Sequence, residues 1–569
     1  MTTTSARTRA PISSLAIHGV WLLLAACGGD GDQALPAPPV EPPAASLAVD
    51  CAGPHCGAIA SDRYDGQGIG LWQYTNDTDE RVALPIRIAG IPGKDVQLIY
   101  ASHSDVPQKL PALELFVRSP YPLEAPMAAL SGPPPDPGKP LPSRSLDHER
   151  IPAAAWRKLR AQPRVSPQLR TVPDAYVPPR TGDRREWWIG NRFSEQNPPL
   201  LRPATLRKQV MASGTDPRRV NLWVADPVEG PDRITDAMLD QLADRVLAGD
   251  DAPYARLSAL AGPLWGPSPY ENAIPPDQDL HIVIAGGFDS GGYFGQINLL
   301  KRDVPTGIPE LDSLLRFSNE ALVVVLHAAA LYDPLGISGY GPSMLMHELT
   351  HMATAYGRDF SRTTSYTNDT WLEEMVATMM QDVQYREDLD PAHPIRDDRL
   401  ASWLRLVRWG SLNCDLRSVS AQDYTQACYG YDRVGSFGGF LLRQFGVQFF
   451  HGLLHNTSSQ DSFEVLDDAI RQAGGAGFAQ AWQRFSTTAA LLPASAVPAG
   501  FGMPARNESG YALVPMDGAR YAAVSELPTA TPMQLAPYGI FPFVRPGIQD
   551  TYRETVTVPP HTSLSVVIR

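Results

Sequence analysis

At 569 residues, with 55 prolines and 46 glycines, the chain is too long for one ordinary core and reads as several compact units joined by extended segments. Its formal net charge of -13 excludes a general nucleic-acid surface, which needs clustered Lys and Arg. Neither a nucleic acid nor a nucleotide is expected as a partner.

The first 27 residues combine Arg7 and Arg9 with the apolar run Val20-Trp21-Leu22-Leu23-Leu24 and then small residues, the layout of an export signal. The run is too short for a spanning helix, which needs about 20 apolar residues. Leu24-Ala25-Ala26-Cys27, followed by Gly28-Gly29, resembles a bacterial lipoprotein signal. That resemblance implies cleavage before Cys27, lipidation of its thiol, and attachment to a membrane outside the cytoplasm, at the outer membrane or cell surface. Residues 28–48 read as a Pro/Gly-rich tether that cannot bury a core. Without Cys27, the cysteines Cys51, Cys56, Cys414 and Cys428 make an even number in an oxidising compartment. Pairing within each close pair is the simplest of three connectivities.

Residues 49–130 carry short alternating runs such as Gly70-Leu71-Trp72-Gln73-Tyr74 and Arg81 to Ile88, which predict a small β-sandwich. Residues 131–204 are a proline-rich linker whose basic cluster at Arg157-Lys158-Leu159-Arg160 reads as a solvated face. Over 205–340, apolar runs at Val220 to Val224, His281 to Ile284 and Ala321 to Leu326 alternate with an amphipathic helix at Thr235 to Leu247. Residues 341–500 turn helical, with candidates at Ser343 to Tyr356, Trp371 to Tyr385, Leu400 to Trp409 and Val434 to Leu454. Residues 505–569 return to β character as a separate C-terminal domain. The class is α+β.

Within the first of these helices lies His347-Glu348-Leu349-Thr350-His351, behind a candidate cap at Ser343. Residues four apart share a helix face, so both imidazoles can reach one metal, while Glu348, turned by about 100°, stays free to handle water. A third ligand is needed. No histidine follows until His393, which rules out the metzincin pattern. Trp371-Leu372-Glu373-Glu374-Met375-Val376-Ala377 instead resembles the Trp-Leu-x-Glu-Gly-x-Ala segment in which gluzincins carry their glutamate ligand. The match makes Glu374 the ligand and Glu373 the variable position, with the reverse, Glu373 as ligand and Glu374 as an exposed acid, as the alternative. Met375 departs from the pattern's glycine, and Asp382 reads as a surface residue.

Together with Gly291-Gly292-Tyr293-Phe294 and Ser318-Asn319-Glu320, these motifs resemble the hyicolysin family of secreted bacterial metallopeptidases over roughly Val220 to Leu492. The resemblance implies a thermolysin-like domain of mixed sheet and zinc-binding helices, flanked by small β-rich domains. It also implies one zinc ion per chain, a protein or peptide substrate, and Glu348 as the base that activates water. By the same resemblance a tyrosine supplies the oxyanion donor, with Tyr431 the candidate and Tyr429 its rival, and the strand Ala321 to Ala330 is an edge that pairs with substrate. The glycines at 286–287 and 291–292 read as a turn, since no Lys-Ser/Thr follows to make a phosphate loop. The competing function is a catalytically inactive relative that serves as a surface-binding module.

Overall fold

The computed structural model describes residues 45–116, 151, 158, 176–190, 198–226, 234–288, 290–332, 341–390, 392–405, 412–419, 430–492, 496–516, 521, 527–528 and 530–569. Cys27, the tether, Cys428 and Tyr429 lie outside the described residues. In chain order the strands that matter are β1 (Gly70–Asn76), β2 (Val82–Ala89), β3 (Lys94–Ser102), β4 (Arg184–Ile189), β5 (Leu200–Ala212) and β6 (Arg218–Ala225). They continue with β7 (Leu280–Ala285), β8 (Gly292–Phe294), β9 (Leu322–His327), β10 (Ile540–Ile548), β11 (Thr551–Val558) and β12 (Thr562–Ile568). The main helices are α1 (Gly341–Ala355), α2 (Thr370–Val383), α3 (Gly430–His455) and α4 (Phe478–Leu491).

The two β-rich ends, expected as separate domains, form one sandwich. β12 lies between β1 and β3, β10 pairs with β3, and in the facing sheet β11 pairs with β2, all antiparallel. Alternation explains the arrangement: Leu84, Ile86 and Ile88 of β2 are buried while the residues between them face outward. β3 from Val96 onward and β12 throughout are buried in both parities because both of their faces are covered. Leu98, Tyr100, Leu564 and Val566 enter the sandwich core, whereas Ile99, Ala101 and Val567 join the core of the larger body. At that junction Gln483 and Thr487 of α4 donate to the Ser565 hydroxyl at 2.6 and 2.8 Å. Cys51 and Cys56 are disulfide-bonded to each other. Cys414 is also disulfide-bonded.

The larger body is built on a six-stranded sheet in the order β8-β9-β7-β6-β5-β4. β6, β7 and β9 are mutually parallel, and their runs, apolar apart from Asn221 and His281, are buried on both faces, as parallel strands require. The strand expected at the edge, β9, is therefore interior: β8 pairs antiparallel to it through Gly292↔Leu326, Tyr293↔Val325 and Phe294↔Val324. Of the glycines read as a turn, Gly287 and Gly291 lie in bends, and Gly292 opens the sheet's edge strand.

Helices α1 and α2 are buried around almost their whole circumference, so they run through the core rather than over it. Ser343 lies inside α1 and is not its cap. The glycine missing from position 375 is supplied from the facing helix: a Cβ at Gly438 of α3 would lie 3.0 Å from Met375 Cγ and 2.7 Å from Met379 Cγ. A residue larger than glycine at 438 would push the two helices apart. Near its end α3 breaks at Gly446, whose φ of 86° belongs to the left-handed region that glycine tolerates.

Candidate metal centre

Helical spacing puts His347 and His351 on one face of α1, and α2 crosses it to bring Glu374 opposite them. The two Nε2 atoms lie 3.1 Å apart. Glu374 Oε2 is 3.2 Å from His347 Nε2, and Oε1 is 3.5 Å from His351 Nε2. One atom from each residue falls within 4.8 Å of the others, and all three residues are buried. Despite those short separations, neither Glu374 oxygen receives a hydrogen bond of proper geometry. A buried carboxylate without donors is costly. A cation shared with two imidazole nitrogens removes that cost, and two His with one Glu is a donor set of catalytic zinc.

The outer nitrogens are oriented from behind. His347 Nδ1 is 3.3 Å from the Gln381 side-chain oxygen, and Gln381 in turn donates to the Ser343 hydroxyl at 2.9 Å. His351 Nδ1 faces Glu373 Oε2 at 3.6 Å, while Thr354 and Asn368 donate to the two Glu373 oxygens at 2.8 and 2.7 Å. With an acceptor beside each Nδ1, the tautomer that leaves Nε2 bare is favoured on both rings. Glu373, the variable position of the pattern, is 5% exposed and stands behind His351.

Asp382 departs from its expected surface position. It is 1% exposed and bidentate to Arg443, at 2.6 and 3.1 Å, with His393 Nε2 3.1 Å from Oδ1. Burial alone would raise its pKa, but Arg443 and His393 hold it down at about 2. His393 Nδ1 accepts the N–H groups of Ile395 and Arg396, capping a π-helical turn at Pro394–Arg399. From the same helix that carries Glu374, this network positions the turn that ends at Arg399.

Glu348 is 1% exposed, and its Oε2 is buried without a hydrogen-bond partner. Burial raises its pKa, the charges of His347 and His351 oppose the rise, and Glu374 adds to it. The carboxylate lines a cleft together with Ser290, Gly291, Gly292, Met344, His347, Arg399 and Tyr431. Gly292 is necessary there: a Cβ would stand 3.1 Å from the Val325 carbonyl oxygen and 3.5 Å from Glu348 Cγ, in the space between the edge strand and the base. Tyr431, in the first turn of α3, is buried with the Arg399 guanidinium 5.4 Å from its ring centre.

The cleft thus brings together His347, Glu348 and Tyr431 of the sequence-predicted residues, with His351 and Glu374 behind them. Sequence reasoning missed Ser290, Gly291, Gly292, Arg399 and Gln381. The paired glycines were the one available signal, since they precede a short aromatic run that pairs as a strand.

The peptidase M30 family model matches residues 199–569, and a domain of unknown function (DUF8571) matches residues 50–115. None of the curated proteins matches the chain. Among solved structures, an M1 zinc metallopeptidase from Deinococcus radiodurans is similar at 16% identity and a TM-score of 0.29, covering 50% of this chain and 50% of that one. A point mutant of the M1 enzyme from that organism, bound to a Tyr-Ser-Ala substrate, is similar at 13% identity and a TM-score of 0.30, covering 73% of this chain and 88% of that one. The chain spans about half the length of the first of these structures, and likeness at this level is too distant to transfer details of their sites. The family match covers well over half of the chain and includes every residue of the metal centre: the protein belongs to the peptidase M30 family of metallopeptidases.

Proposed function

We propose that the protein hydrolyses peptide bonds outside the cytoplasm, with a thermolysin-like division of labour among its helices. The observation that carries this reading is Glu348, a buried carboxylate beside the metal ligands but outside their set, facing a cleft that Gly292 of the edge strand and Tyr431 also line. A zinc ion held by His347, His351 and Glu374 would supply Lewis acidity toward water and toward the peptide carbonyl. Glu348 takes the proton of the attacking water and hands it to the departing amine. Tyr431 donates its hydroxyl to the carbonyl oxygen as negative charge develops. An extended peptide adds to the open side of β8, where no described strand pairs, so main-chain hydrogen bonds hold it across Glu348 whatever its side chains.

The test is proteolysis of a peptide library by the purified chain, with and without a zinc chelator and after zinc is restored. Cleavage that vanishes with the chelator and returns with zinc is expected. A zinc-loaded protein that cleaves nothing, or cleavage indifferent to the chelator, rejects the reading. The location rests on the Leu24 to Cys27 signal, so Cys27→Ala should move the protein from the membrane fraction to the soluble one. Unchanged membrane association would remove the lipid anchor from the proposal.

A further inference from the structure

Arg399 is the charged residue of the cleft lining that the mechanism leaves unused. It is 4% exposed, yet it lines the same space as His347, Glu348 and Tyr431. A guanidinium offers five N–H donors. Among the described residues it makes one hydrogen bond, from Nη1 to Asp432 Oδ1 at 3.3 Å. Nε is buried without a hydrogen-bond partner, and the nearest acid beyond Asp432 is Asp398, whose Oδ2 is 3.9 Å from Nε. Burying an arginine with most of its donors unused is expensive unless something else takes them up.

The surroundings are arranged to keep that cation where it is. Its π-helical turn is capped by His393, which is locked to the fully buried Asp382–Arg443 pair. Such turns are frequent at functional sites. Gly435 makes room for the arginine's stem, since a Cβ there would stand 3.2 Å from Arg399 Cγ. The outcome is a fixed, planar, under-used donor fork in the substrate cleft, which matches a carboxylate in shape and charge.

We propose that Arg399 is a specificity-determining residue that binds a carboxylate of the substrate next to the scissile bond. The inference rests on the peptidase reading and adds its substrate class: peptides with an acidic residue adjacent to the cleaved bond, or peptides cleaved next to a free C-terminus. Both present the same group to the guanidinium. A lysine would keep the charge but lose the fork, so Arg399→Lys is informative. The paired change Arg399→Gln with Asp432→Asn removes the cation without leaving a buried acid uncompensated.

The experiment compares kcat/KM of wild type and both variants on matched peptides, Glu against Gln beside the cleaved bond, and free acid against C-terminal amide. Charged hydrogen bonds of this kind correspond to a preference on the order of 10–100-fold for the carboxylate peptide in wild type. Both variants should lose most of that preference, falling far more on carboxylate peptides than on their neutral counterparts. Loss on Glu→Gln exchange identifies a side-chain carboxylate, and loss on amidation identifies the C-terminus. The same peptide pairs are also titrated for binding to zinc-loaded Glu348→Gln protein with and without the Arg399 changes. Binding that prefers the carboxylate only when Arg399 is present supports the inference even if no peptide is cleaved, an outcome that would reject only the peptidase reading. No carboxylate preference in wild type, or equal losses on charged and neutral peptides, overturns it.

Discussion

Replacing Glu348 with glutamine is expected to reduce peptide hydrolysis by about 10²–10⁴-fold, the usual contribution of a general acid-base group, while zinc remains bound. The substitution changes one oxygen to an NH₂ group of nearly the same size in a position that is 1% exposed, so the cleft keeps its shape. Glutamine can neither take the proton of water nor return it to the amine. Because Glu348 is outside the proposed ligand set of His347, His351 and Glu374, the loss should fall on turnover and leave metal content alone. Zinc per chain, the melting temperature and kcat measured side by side separate the possibilities. If wild type and Glu348→Gln cleave equally well, Glu348 is not the base. If the variant has lost its zinc, Glu348 is a ligand and the division of roles is wrong.

What could be read in the sequence was whatever depends on near neighbours. His347 and His351 share a face by helical geometry alone, and that face needs no knowledge of the rest of the chain. The alternating run of β2 likewise announces a strand with one buried side. What stayed hidden depends on partners far along the chain. Nothing in Thr562–Ile568 says that it pairs with Gly70–Asn76, because an apolar strand specifies a buried environment and not which strand supplies it. Apolar periodicity also cannot distinguish an interior strand from an edge one, and so β9 was assigned the role that β8 has.

Charged residues misled for a related reason. Arg396-Asp397-Asp398-Arg399 has the composition of a solvated turn, and only the cap from His393 and its link to Asp382 turn Arg399 into the cleft. Glu373 and Asp382 look like outward helix acids as long as α2 is taken for a surface helix. Once α3 and α1 cover both of its sides, each acid needs a partner, and each has one: His351 for Glu373, Arg443 for Asp382.

The ligand assignment and the burial of Glu373 together predict a graded loss of zinc. Glu374→Ala should abolish stoichiometric binding, because the two remaining imidazoles are fewer than the three protein ligands a catalytic zinc site uses. Glu373→Gln should keep the site but weaken it by about 10–100-fold, the usual effect of removing an outer carboxylate that orients a ligating histidine. The order differs from what a variable surface position would give, since Ala or Gln at an exposed acid would leave affinity unchanged. Protons compete for the same nitrogens. Burial disfavours a charged His351, yet Glu374, then Glu373 and Glu348, overcome it and raise its pKa to about 10, so affinity should fall as pH is lowered in every protein that binds. Stability offers a readout independent of activity: at free zinc one hundred times the dissociation constant, wild type gains about 2.7 kcal/mol from binding, Glu373→Gln gains less at that concentration, and Glu374→Ala gains none. Competition with a chelator of known affinity gives the constants, and melting with and without zinc gives the stabilisation. Wild-type affinity in Glu374→Ala, with loss in Glu373→Gln, would make Glu373 the third ligand and would require α2 to turn by about one residue, or 100°, from the arrangement described.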